Sequence, residues 1–167
     1  MTPEHTAEFR GALRQAADDL LAYFERRVSI RDDAADLLGE TMLQAWRRAG
    51  DLPPTAERRR MWLFTIAANV LGNHRRSARR RTALAGRVRQ QLATSNEPDH
   101  AEADAVRDAV LRLGSAQRDL VLLVHWDGFS IVEAAEILGL NPSTARGRYA
   151  AARDALRTAL SPTAAST

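Results

Sequence analysis

Apolar residues recur every three or four positions along most of the chain, which is the spacing of one face of an α-helix. The first such stripe runs from Phe9 to Phe24. The alternating apolar and polar residues typical of β-strands are nearly absent, and so are Asn-Gly and Asp-Gly hairpin turns. We therefore predict an all-α protein, with a break in the first helix near Asp18-Asp19.

Two further stripes predict the next two helices. One begins near Arg31 and ends before Gly50, because glycine and the following Pro53-Pro54 pair both end helices. The other predicts a long helix over residues 58–81, with Trp62 at the start of its apolar face.

The second half of the chain changes character. Residues 93–104 contain Pro98 and no apolar stripe, which is typical of a linker. Two short helical stripes follow, and Ser115 is the expected N-cap of the second. We predict two small helical domains joined by a flexible linker, followed by a frayed tail: residues 1–81, 82–104, 105–160 and 161–167.

A helix-turn-helix is predicted over residues 130–148. Ser130 and Glu133 have the spacing of a capping box, which marks the start of a helix. Gly139 suits a tight turn, because it lacks the Cβ that penalises a left-handed backbone. Asn141 can cap the next helix, and Pro142 suits its first position because that N–H needs no helical partner.

The second helix of this motif has a distinctive outer face. Its core stripe is expected at Ala145, Tyr149, Ala152 and Leu156. Arginine then stands among small residues on the opposite side, which would permit close approach to a DNA duplex. An ordinary helical hairpin with a solvated basic face is the alternative interpretation.

Charge is arranged in blocks along the chain. All 24 basic side chains are arginine, and the formal net charge is +3. Residues 51–92 hold 10 arginines against 2 acidic residues, whereas residues 93–127 hold 3 against 7. Such blocks indicate separate surfaces for different partners.

Composition excludes several classes of site. With zero cysteines the chain has no disulfide, thiol nucleophile or cysteine-ligated zinc. The four histidines are widely scattered, so we expect no metal and no cofactor. No apolar run approaches the ~20 residues that span a bilayer, and the start lacks a signal-peptide pattern. We expect a cytoplasmic protein without a membrane partner.

Three segments in a fixed order carry a resemblance to a known family. They are AADLLGETMLQAWRR at residues 34–48, MWLFTIAANVLGNHRRSARR at 61–80, and the helix-turn-helix with its preceding helix at 113–156. Together they resemble RNA polymerase sigma factors of the extracytoplasmic-function (ECF) class. The resemblance implies sigma region two in the first domain, region four in the second, and a promoter-specificity subunit rather than an enzyme.

The resemblance implies that the second helix docks on the clamp helices of core RNA polymerase. The implied contact residues are Asp36, Leu37, Glu40 and Trp46. A solvated acidic face is the alternative for the two carboxylates, and a core position is the alternative for Trp46. Gly39 stands where the family commonly has glutamine, which weakens one expected polymerase contact.

The resemblance also implies recognition of a melted minus-10 promoter element by the Arg-rich helix and its preceding loop, residues 50–57. A base flipped from the non-template strand is held there in the family. Trp62 and Phe64 are either core residues or stacking partners for bases. The implied DNA contacts are Asn69, Asn73, His74, Arg75, Arg76, Arg79 and Arg80.

Region four would read the duplex minus-35 element with the second helix of its helix-turn-helix. Gly147 and Ala150-Ala151 make this helix barer than is usual in the family. The acidic linker would thread toward the active-site cleft of the polymerase. An anti-sigma factor is a further implied partner. The implied minus-35 contacts are Ser143, Thr144, Arg146, Gly147, Arg148 and Arg153.

Two other classes of function account for less of the sequence. A stand-alone helix-turn-helix transcriptional regulator would explain residues 130–148 but neither the Arg-rich helix nor the acidic docking helix. A small helical enzyme would need a phosphate-binding loop, a nucleophile with a base, or clustered acids, and the sequence has none of these motifs.

Overall fold

A computed structural model describes residues 2–85 and 101–161 of the chain. Within these ranges every regular element is helical, which confirms the predicted all-α class. The chain divides into two compact units, Met1–Arg89 and Gln90–Thr167. No helix in the described ranges is both long and apolar enough to cross a membrane.

The first unit contains three α-helices that pack against one another in every pairing. The N-cap of the first helix is Thr2, whose hydroxyl accepts a hydrogen bond from the backbone N–H of His5. A short 3-10 helix, Ala49–Asp51, lies between the second and third helices. The helices are α1 (Pro3–Glu25), α2 (Arg31–Arg47) and α3 (Ala56–Ala85).

Aromatic side chains form the centre of this unit. The ring of Tyr23 meets the edges of Phe24 at 5.2 Å and Phe64 at 5.4 Å between centroids, so α1 is joined to α3. Edge-to-face pairs of this kind add to the apolar area that they bury. The predicted break at Asp18-Asp19 is wrong, since α1 is continuous and both acids lie on its exposed side.

The described part of the second unit, residues 101–161, contains four helices, and the last packs against each of the other three. Val110, Val121 and Leu122 share a buried cluster with Ala152, against which Tyr149 packs. The helices are α4 (Ala101–Arg112), α5 (Ser115–His125), α6 (Ile131–Leu138) and α7 (Pro142–Leu160).

The structure corrects three predicted boundaries. Helix α3 continues to Ala85 and α4 begins at Ala101, so both ends of the predicted linker are helical. Residues 86–100 of that linker, and 162–167 of the predicted tail, lie outside the described residues. The N-cap of α5 is Gly114 rather than Ser115, which is the first helical residue.

Candidate polymerase and nucleic-acid interfaces

One face of α2 is exposed and carries the predicted polymerase contacts. Asp36 and Glu40 are both exposed and lie one helical turn apart, so they share this face. The carboxylate of Glu40 accepts a hydrogen bond from Gln44 Nε2 at 2.9 Å, which orients it along the helix. Leu37 is only 7% exposed, so its side chain belongs to the core and cannot form the docking surface expected of it.

Two large apolar side chains extend the same exposed side of α2. Trp46 is 46% exposed, while its ring meets the edge of Phe9 at 5.6 Å. It therefore has one side in the core and the other in solvent. Leu43, three residues earlier, is 44% exposed, and sequence reasoning missed it. The available signal was its position off the core stripe, where an apolar residue has no packing role.

Helix α3 has a buried first half and an exposed second half. Phe64 is fully buried, so the alternative in which it stacks on bases is wrong. Trp62 is partly buried, as expected for the start of the apolar stripe. Beyond Leu71, which is 2% exposed, the helix leaves the core and its polar positions reach solvent.

Most of the predicted minus-10 residues lie on this exposed half. Asn73 is exposed there, and the guanidinium of Arg76 donates to its Oδ1. Asn69 is also exposed but lies just before this half, ahead of the buried Val70 and Leu71. Arg80 Nη2 donates to Ser77 Oγ at 3.4 Å, and Arg79 is exposed beside it. These i to i+3 contacts hold arginine and amide groups together as one polar surface along the helix.

His74 and Arg75 are placed differently from the other minus-10 candidates. His74 Nε2 lies 3.9 Å from Asp33 Oδ2 on α2, and its side chain is 27% exposed. Arg75 is also only partly exposed. His74 thus faces α2, so the contact with DNA expected of it would require this side chain to turn away from Asp33.

The loop before α3 is fastened to the rest of the first unit by side chains. Arg59 Nε donates to the carbonyl oxygen of Pro53 at 2.7 Å, and its Nη2 donates to that of Pro54 at 3.0 Å. His5 Nε2 is hydrogen-bonded to the carbonyl oxygen of Ala49 at 2.7 Å. Sequence reasoning missed both side chains. His5 is 44 positions from Ala49, and Arg59, although close to the prolines, folds back on them without a recognised capping pattern.

The helix-turn-helix forms through the local contacts predicted from its sequence. Ser130 N donates to Glu133 Oε2 at 2.8 Å, and Glu133 N donates to Ser130 Oγ at 3.2 Å, which confirms the capping box. Gly139 has a φ of 65°, in the left-handed region that glycine favours. Asn141 Oδ1 accepts the backbone N–H of Ser143 at 2.9 Å and so caps α7.

The outer face of α7 is exposed at every predicted minus-35 position. Ala145 and Ala152 are fully buried on the opposite side, so the predicted core stripe is confirmed there. Within the described ranges, Arg146 and Arg148 form no ion pair. The hydroxyl of Ser143 donates to Asn141 Oδ1 at 2.7 Å and is thus engaged in the cap. The exposed residues are Ser143, Thr144, Arg146, Gly147, Arg148 and Arg153.

Within the described ranges, no group of three or more histidine, aspartate or glutamate side chains is arranged to hold a metal ion. The predicted DNA-contact surfaces on α3 and α7 instead carry exposed arginine, asparagine and serine side chains. Such surfaces suit phosphate and base edges.

Two parts of the chain match family models. Residues 13–81 match Sigma-70 region 2, and residues 103–156 match Sigma-70, region 4. The ECF RNA polymerase sigma factor SigL of Mycobacterium tuberculosis is 30% identical over 158 residues, which cover 92% of this chain and 89% of SigL. The chain belongs to the ECF sigma factor family. The resemblance found in the sequence is thereby confirmed.

Other sigma factors are similar over nearly their whole length. CarQ of Myxococcus xanthus is 32% identical, over 84% of this sigma factor and 86% of CarQ. RpoE of Bartonella quintana, solved in complex with the anti-sigma factor NepR, has a TM-score of 0.76 at 25% identity. That match covers 92% of this chain and 96% of RpoE. A stand-alone regulator is not favoured, because both sigma regions are matched.

Proposed function

We propose that this sigma factor binds core RNA polymerase through α2 and directs promoter-specific transcription initiation by recognising a minus-10 element with α3 and a minus-35 element with α7. The observation that carries the proposal is the presence of two exposed cationic helix faces, one in each unit, within matches to regions 2 and 4. Each face lies in the region whose family role is to bind promoter DNA.

The docking surface on α2 combines charge with apolar area. Asp36 and Glu40 would pair with basic groups on the polymerase, and the exposed sides of Leu43 and Trp46 would be buried against it. A tryptophan that is already half fixed by the core loses little conformational freedom on binding. This anionic, apolar face is suited to a protein partner and unsuited to nucleic acid.

The exposed half of α3 would bind the melted minus-10 element. Arg76, Arg79 and Arg80 would neutralise phosphates and release counterions. The amide groups of Asn69 and Asn73 would hydrogen-bond a base extruded toward the loop before α3. Because this loop is fastened to α1, a pocket between loop and helix would have a fixed shape.

The outer face of α7 would read the minus-35 element as duplex. The small residues around Arg146 allow the helix backbone to approach the floor of the major groove. Arg148 and Arg153 flank this face and are placed for phosphate contacts. The exposed N-terminus of α7 also presents its cap residues to the DNA backbone.

An anti-sigma factor is a further proposed partner. RpoE of Bartonella quintana and CnrH, which has a TM-score of 0.55 at 26% identity, were both solved in complex with anti-sigma proteins. The sigma factor acts in the cytoplasm, where polymerase and promoters are. It supplies binding and specificity, and the chemistry of transcription belongs to the polymerase.

The test uses the purified full-length chain and core polymerase on a library of genomic promoter fragments. We expect specific transcripts only when both proteins are present, and no specific gel shift with the sigma factor alone. Core polymerase without the sigma factor is the control. A sequence-specific complex with duplex DNA in the absence of polymerase, together with no gain of transcripts, would support a stand-alone regulator instead.

A further inference from the structure

The loop between Ala49–Asp51 and α3 contains two consecutive prolines, Pro53 and Pro54. Proline has no backbone N–H, so neither residue can donate a hydrogen bond that would hold the loop in place. Their carbonyl oxygens remain acceptors. Backbone hydrogen bonds hold the two ends of this segment, from Leu52 N to Ala49 O at 3.3 Å and from Arg59 N to Thr55 O at 2.9 Å. The two prolines between them can be held within the protein only by donors to their carbonyl oxygens.

Arg59 supplies those donors. Its Nε bonds to the Pro53 oxygen at 2.7 Å and its Nη2 to the Pro54 oxygen at 3.0 Å. The same Nη2 donates to the carboxylate of Glu8 on α1, and the Arg59 side chain is only 18% exposed. A guanidinium is a rigid planar donor, so these three contacts fix the loop, α3 and α1 relative to one another.

A second contact from α1 holds the 3-10 helix that precedes the loop. His5 Nε2 is hydrogen-bonded to the carbonyl oxygen of Ala49, where the 3-10 helix begins. His5 and Glu8 are three residues apart and so lie on one side of α1. The first turns of α1 thus support the loop, through Arg59, and the 3-10 helix before it.

Ion pairs add to the packing between α1 and the start of α3. An open groove of about 490 Å³ lies between these two segments, with the buried residues Ala16 and Leu63 in its lining. Two ion pairs span the polar side of the groove, Glu8 with Arg59 and Asp19 with Arg60.

We propose that Arg59, held by Glu8, is a positioning residue for minus-10 recognition, because it fixes the loop against which the extruded base is read. This inference rests on the proposed function of α3 and its loop. A hydrogen-bonding pocket discriminates between bases only while its walls keep their positions, and small displacements reduce recognition strongly.

The test is in vitro transcription by core polymerase with full-length Arg59→Lys, on a preferred promoter and on templates changed at single minus-10 positions. Lysine keeps the charge but cannot form the three contacts of the planar guanidinium. We expect the ratio of transcription between preferred and changed minus-10 templates to fall about tenfold, as for loss of one charge-assisted hydrogen bond. Affinity for core polymerase and discrimination at minus-35 should be unchanged.

Two matched variants separate positioning from general packing. Glu8→Gln should lower the same ratio about threefold, since it removes the charge that holds Arg59. Asp19→Asn removes the charge from the neighbouring α1–α3 ion pair and should leave the ratio unchanged. If Arg59→Lys fails to fold, the Glu8→Gln and Asp19→Asn pair carries the test.

An unchanged ratio in folded Arg59→Lys would overturn the proposal, and so would an equal loss in Asp19→Asn. A native protein that transcribes from promoters without any minus-10 preference would instead overturn the proposed role of α3. The two failures are therefore distinguishable in the same experiment.

Discussion

Helices α3 and α7 both present arginine to solvent, but they are held by different means. The 30 residues of α3 begin in a core of aromatic rings, centred on the contact between Tyr23 and Phe64. The 19 residues of α7 rest on alanines, with Ala145 and Ala152 fully buried, and on the Asn141 cap at its start.

The difference extends to the cationic groups themselves. On α3, Arg76 and Arg80 bond to Asn73 and Ser77 one turn away, so charge and amide groups form a continuous surface. On α7, Arg146 stands among small residues and, within the described part of the chain, forms no ion pair. The first arrangement suits binding to an irregular single strand, and the second suits close contact with a regular duplex.

Removing the buried ring of Phe64, which supports α3, should cause the largest change in free energy. We expect Phe64→Ala to reduce the free energy of unfolding of the first unit by about 3–5 kcal/mol, because it deletes a fully buried ring. Hydrogen exchange of the amides in α3 measures this loss, and the amides of α7 serve as the internal control. An equal loss of protection in α5 and α7 would show that the two cores are not independent and would break the comparison.

Removing the main cation of α7 should have an intermediate effect. Arg146→Ala is expected to weaken minus-35 recognition by about 1–3 kcal/mol if the guanidinium contacts a base edge bidentately. The measurement is holoenzyme affinity for promoters that differ by single minus-35 substitutions. The variant should lose discrimination at one or two base pairs.

Arg148→Ala serves as the matched variant for this test. Arg148 is expected to contact phosphate. Replacing it should therefore weaken binding by a similar factor on all promoter sequences and should reduce the salt dependence of binding. A uniform loss in Arg146→Ala would place that residue on phosphate too, and specificity would then rest on fewer contacts in α7 than proposed.

The sequence predicts local structure well where a signal lies within a few residues. The capping box at Ser130, the glycine turn at Gly139 and the cap at Asn141 are each set by neighbours two to four positions away, and all three are confirmed. The apolar stripe of α7 was predictable for the same reason. The spacing of apolar residues in an amphipathic helix shows which side of the helix is buried, but it does not show which other helix covers that side.

Long-range contacts could not be predicted in this way. Arg59, which holds the Pro53-Pro54 loop, is itself held by Glu8, a residue 51 positions earlier in the chain. The break expected in α1 was wrong because buried residues on both sides of Asp18-Asp19, Ala16 and Leu20, belong to one core face, and tertiary packing overrides the weak helix propensity of aspartate. The partial burial of His74 also had no signal in the sequence, because its neighbour Asp33 lies on a different helix, far away along the chain.

Removing charge from α2 should have the smallest effect per side chain. Changing Asp36 and Glu40 together to alanine is expected to weaken binding to core polymerase by about 0.2–1 kcal/mol per exposed ion pair. Alanine favours helix, so circular dichroism should show α2 intact. A titration of core polymerase with labelled sigma factor gives the affinity.

Salt separates the two components of this surface. The loss caused by the double variant should shrink at high ionic strength, because exposed charges are screened. The loss caused by Trp46→Ala should persist, because it removes apolar area. Unchanged affinity in both variants would exclude this face of α2 from docking.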